Sequence, residues 1–73
     1  MNSIVVKDTP GFRLSVKSWK CTRPNDLNAL EFVQEMKNSA GEVDMSSTYQ
    51  FFMTDGELVD LCNGLLDTVI NDN

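Results

Sequence analysis

Histidine is absent from this chain, and cysteine occurs only twice, as Cys21 and Cys62. Without histidine the commonest general base and the commonest metal ligand are both missing. A structural zinc site asks for about four nitrogen or sulfur ligands, usually in closely spaced pairs. Two isolated thiols cannot build one, so neither a metal nor a cofactor is expected. A disulfide framework is also a poor fit, because secreted mini-proteins of this size carry about four or more cysteines. The plainer reading is a pair of reduced, partly buried thiols in a cytoplasmic protein. No run approaches the ~18 apolar residues of a membrane-spanning helix. Residues 1–7 lack the basic start and apolar stretch of a signal peptide, so no membrane partner is expected. The glycines, Gly11, Gly41, Gly56 and Gly64, stand alone, and nothing resembles a phosphate-cradling loop. Catalysis is therefore the poorest fit. The carboxylate pairs Glu42 with Asp44 and Glu57 with Asp60 fall on positions that face solvent.

The 73 residues make one α+β domain, with no repeat or linker to divide it. A chain this short buries only about 60% of the surface its unfolded form exposes. Such domains lean on a metal, on disulfides or on a partner subunit, and the composition leaves the third. Charge is spread unevenly. Residues 1–24 carry Lys7, Arg13, Lys17, Lys20 and Arg23 against Asp8, a net +4. Residues 25–73 carry Lys37 against ten acids, a net −9. Asymmetry of this kind speaks to partners and assembly, not to fold.

Along the chain, Ile4-Val5-Val6 suggests a short edge strand, and Thr9-Pro10-Gly11 a turn. Phe12, Leu14 and Val16 then alternate with Arg13, Ser15 and Lys17, as in a half-buried strand. The apolar parity shifts at Trp19 and Cys21, so either a bulge intervenes or Trp19 lies on the polar side. A loop is expected at 23–26. Residues 27–38 admit two readings. As a helix, Ala29, Leu30, Phe32, Val33 and Met36 gather on one side, and the composition favours it. As a strand, Leu30, Phe32 and Met36 share a face with Gln34. The strand is preferred, because the next segment needs a neighbour for its backbone. A hairpin connection at 37–42 follows. Val43, Met45, Tyr49, Phe51 and Met53 then share one parity, with Asp44, Ser46, Thr48 and Gln50 on the other and Phe52 as an exception. This predicts a strand with one dry and one wet face.

Thr54-Asp55-Gly56-Glu57 fits a capping box opening a C-terminal helix. Leu58, Leu61, Cys62, Leu65, Leu66 and Val69 follow the helical template, and Val59 and Ile70 widen the stripe to about 180°. Glu57, Asp60 and Asp67 lie opposite. A sheet of three or four antiparallel strands packed on this helix cannot cover a half-cylinder of aliphatic groups. A second copy would cover Val59, Leu66 and Ile70, so a helix-packed homodimer is expected.

Two classes of function fit these residues. One is a small accessory or regulatory binding protein, of the size made by bacteria and phages, that meets another protein through surface charge, including the acidic face of Glu57, Asp60 and Asp67, and through exposed aromatics, among them Trp19 and Phe52. The other is a single-stranded nucleic-acid-binding protein. Arg13, Lys17 and Trp19 share a parity, with Lys20 and Arg23 at the end of that strip. Cations interleaved with an aromatic suit phosphates and stacked bases. The competing explanation is that these cations face the protein's own acids.

Overall fold

The computed structural model describes residues 2–23 and 25–71. Pro24, part of the loop expected at 23–26, lies outside the described residues. Four strands, β1 (Asn2–Thr9), β2 (Phe12–Cys21), β3 (Leu27–Lys37) and β4 (Val43–Met53), precede one helix, α1 (Asp55–Asn71). The strands lie side by side in chain order, each antiparallel to the next. The architecture is thus α+β, with the sheet at four strands.

The ambiguous segment is a central strand. β3 pairs with β2 from Phe12↔Met36 to Cys21↔Leu27 and with β4 on its other side. Two ladders satisfy its backbone on both edges, and this outweighs the helix-favouring composition. The pairing of β2 with β3 runs without a break. Trp19 therefore keeps the parity of Arg13 and Lys17 and lies on the polar face. The irregularity falls in β1 instead, between Val5 and Lys7. β1 is also longer than its apolar triplet suggests, because pairing with β2 carries it to Thr9.

One face of the sheet is apolar. It carries Ile4 and Val6 from β1 and Phe12, Leu14 and Val16 from β2. Leu30, Phe32 and Met36 from β3 and Met45, Tyr49, Phe51 and Met53 from β4 complete it. Phe32 and Phe51 meet edge to face there, with ring centres 6.2 Å apart. The other face carries Arg13, Ser15, Lys17 and Trp19 beside Glu31, Val33, Glu35, Thr48, Gln50 and Phe52.

Turn chemistry fixes the far end of the sheet. Asn38 Oδ1 accepts hydrogen bonds from the amides of Ala40 at 2.9 Å and Glu42 at 3.1 Å. Gly41 takes φ of 81°, a conformation that disfavours any side chain. At the other end, Glu57 N–H donates to Thr54 Oγ1 at 3.2 Å, and Thr54 N–H donates to Glu57 Oε1 at 2.8 Å. The expected capping box is formed.

The helix starts over the apolar face and then leaves it. Leu58 is half-buried, but every residue of α1 after it is exposed. The expectation that the sheet would shield the inner stripe is therefore corrected. Leu65 and Val69 are as open to solvent as the outer edge, Leu61 is exposed to a lesser degree, and Cys62, expected to be partly buried, is exposed. The reason is local. Polar contacts from Lys20 and Asn28 to Asp55 hold the first turn to the sheet, and Leu58 is the last half-buried residue among the described residues of the helix. Among the described residues the buried hydrophobic core is Ala29 alone. The chain spans 42 × 39 × 15 Å with a radius of gyration of 15.0 Å. A compact chain of this length would have a radius of about 11 Å.

Candidate interaction surfaces

The cationic strip assembles only in part. Arg13, Lys17 and Trp19 do share the polar face, as expected from their parity. Their cross-strand partners are acids, however, with Arg13 opposite Glu35 and Lys17 opposite Glu31. Directly opposed side chains sit about 5 Å apart at Cβ, close enough for each charge to feel the other. Asp8 lies opposite Arg13 on the other flank, with Asp8 Oδ2 3.8 Å from Arg13 Nε. Arg13 and Lys17 thus lie in register with three carboxylates, of which Asp8 is within ion-pair distance of Arg13. Lys20 leaves the strip altogether. It has the opposite parity, and its ammonium pairs with Asp55 at the start of α1. Arg23 sits exposed in the connection between β2 and β3. Phe52, expected with Trp19 as an exposed aromatic, is 55% exposed on the same face. It shares a row with Trp19 across Ala29, so two aromatics flank the one dry residue of the sheet.

Two charge clusters pin the ends of the fold. At the far end, Lys37 Nζ donates to Asp8 Oδ1 at 2.6 Å and to Thr9 O at 3.2 Å. Its amide donates to Gly11 O at 3.0 Å, so β3 is tied to the turn between β1 and β2. The hydrogen bond from Lys37, helped by the charges of Lys37 and Arg13, holds the Asp8 carboxyl below its usual value. At the helix end, Asp55 accepts from Lys20 Nζ and, at 2.7 Å, from Asn28 Nδ2. These bonds, that from Lys20 first, lower the pKa of Asp55. Glu57 is lowered by the Thr54 amide and then by the Thr54 hydroxyl. Asp55 and Glu57 are thus engaged in fixing where the helix begins.

The acids are not one surface. Leu58, Leu61, Cys62 and Leu65 face the sheet, so Glu57, Asp60 and Asp67 point away from it. Glu31 and Glu35 lie on the polar face, on the other side of the molecule, and Glu42 borders the far turn. Among the described residues no three acids or thiols gather closely enough to hold a metal ion. Among the described residues no helix is long and apolar enough to cross a membrane.

An apolar surface lies between α1 and the sheet. Their divergence opens a groove of about 440 Å³ walled by aliphatic side chains from β1, β2, β3 and α1. The outer edge of the helix is as bare, with Val59 55%, Leu66 56% and Ile70 64% exposed. Val43, Met45, Tyr49 and Phe51 are also more than half exposed, so the face of β4 expected to be dry is open in this protomer, because the helix does not cover it. Comparison with protein families, with curated proteins and with solved structures finds no match for this chain.

Proposed function

We propose that this chain is a non-catalytic binding module that works as a homodimer and engages another protein. The observation that carries the dimer is the missing interior, since only Ala29 among the described residues is dry. Finishing the burial of six half-exposed aliphatic side chains on α1 is worth on the order of 5–9 kcal/mol. That is comparable to the whole stability of a small domain, about 5 kcal/mol at the low end. The surface area supports the same reading. The chain exposes 5625 Å², where a monomer of its mass would expose about 4,500 Å². An excess of about 1,100 Å² is of the size that one partner gives to a stable interface, about 800 Å² or more.

A protein partner is favoured over nucleic acid by the charge balance of the polar face, whose cations are each opposed by an acid. The acidic helix face of Glu57, Asp60 and Asp67 suits a cationic partner. Cys21 and Cys62 are both free thiols, which suits a reducing, cytoplasmic compartment. Sedimentation at about 10 μM is expected to give twice the chain mass, and the mass of one chain would remove the dimer.

Phe52 lends weight to a second reading, single-stranded nucleic-acid binding, because it gives Trp19 a companion on the face of Arg13 and Lys17. Trp19 fluorescence titrated with an oligonucleotide at ~50 mM and ~200 mM salt separates the two. Quenching that weakens steeply with salt supports nucleic acid. No quenching at the lower salt leaves the protein partner.

A further inference from the structure

We infer that the groove between α1 and the apolar face of the sheet is filled by α1 of a second copy, so that each copy's helix lies in the other's groove. This builds on the homodimer reading and names the surfaces that meet. The groove is walled by Ile4, Val16, Leu30 and Phe32 on the sheet side and by Leu61 and Leu65 on the helix side. Its walls match the surface that the helix itself presents, an aliphatic stripe about half its circumference wide.

Symmetry selects the occupant. In a two-fold contact, whatever one copy does to the other is returned. If the partner's helix enters this groove, this helix enters the partner's groove, and one contact covers both walls and the outer edge of Val59, Leu66 and Ile70. A small apolar molecule would fill the groove but leave that edge wet. A sheet-on-sheet contact would cover Tyr49 and Phe51 but leave the helix bare. Charge allows the arrangement, because Glu57, Asp60 and Asp67 lie opposite the stripe and stay in water when two stripes meet. The surface excess calculated above is also what a second copy would remove.

A native reporter sits in the right place. Cys62 lines the groove and is exposed in one copy, whereas Cys21 lies on β2 with the parity of the polar face. Maleimide labelling of the native protein, followed residue by residue by mass spectrometry, is compared with labelling in urea and with sedimentation at the same concentrations. Cys62 is expected to react at least tenfold more slowly in the native dimer than in urea, and Cys21 to be slowed less. An Ile4→Cys variant, at an exposed position on the opposite wall, is expected to show the same protection. A dimer in which Cys62 and the cysteine at position 4 react as fast as in urea would overturn the groove assignment and leave the dimer standing. A sedimenting monomer would overturn both. Protection of Cys62 in a monomer would point to a small apolar occupant and equally remove the second helix.

Discussion

Gly41 and Gly64 should respond to alanine in opposite directions. Gly41 sits at φ of 81°, where a side chain clashes with its own backbone. Gly41→Ala is expected to cost about 1 kcal/mol. Gly64 lies on the polar side of α1, and a methyl group there would meet nothing within 4 Å. Gly64→Ala is expected to add about 0.5–1 kcal/mol through helix propensity. Urea midpoints of the two variants check both signs. Thr54→Ala removes one half of the capping box and should cost about 1 kcal/mol. The acid limb of stability also belongs to single residues. Asp8, Asp55 and Glu57 all titrate below their ordinary values of 3.8 for aspartate and 4.5 for glutamate. A carboxyl lowered in the folded state contributes stability above its unfolded pKa and loses it as the pH falls through the folded one. Stability followed by circular dichroism should therefore decline below about pH 4.5. With no histidine in the chain, it should be flat between about pH 5.5 and 7.5.

Among the elements, α1 and β4 were the most legible in the sequence, because their signals are local. A capping box needs four consecutive residues, and a period of two needs one strand. β3 was harder, since what makes it a strand is a neighbour on each side, and periodicity carries no trace of neighbours. The same gap hid the fate of the cations. That Lys17 lies opposite Glu31 and Arg13 opposite Glu35 emerges only once the register is known. Parity marks Phe52 as an exposed aromatic of β4, but only the pairing puts it in a row with Trp19. The two sheet edges also differ in a way the sequence does not announce. β1 is interrupted between Val5 and Lys7 and carries Lys7 and Asp8, devices that discourage strand addition. β4 spans eleven residues with Asp44 as its one charge and no proline. Lysine at Ser46 and Thr48, on the polar face, should suppress slow association at high concentration without lowering the far-ultraviolet helix and sheet signal. Light scattering over days at about 1 mM would measure it, and unchanged growth would mean that the β4 edge is not where chains meet.

At the scale of the whole molecule, the sequence shows that the helix carries more apolar surface than a small sheet can cover. It does not show that the sheet covers almost none of it. That distinction depends on the angle at which α1 leaves β4, which Lys20, Asn28 and Asp55 set through contacts between residues far apart in the chain. On the proposed homodimer reading, folding and assembly of the protomer are one event. For such a chain stability depends on concentration, because association draws the folded state by mass action. Leu66→Asp would place a charge on the surface that must be covered and should lower the fraction folded at any given concentration. The most direct measurement is the urea midpoint of the unaltered chain at 1 μM and at 100 μM, figures chosen so that coupled folding shifts the free energy by about 2.7 kcal/mol. With a slope of about 2 kcal/mol per molar, the midpoint should rise by about 1.4 M urea. A midpoint that stays the same across that range would mean that one copy folds alone, and it would contradict the account.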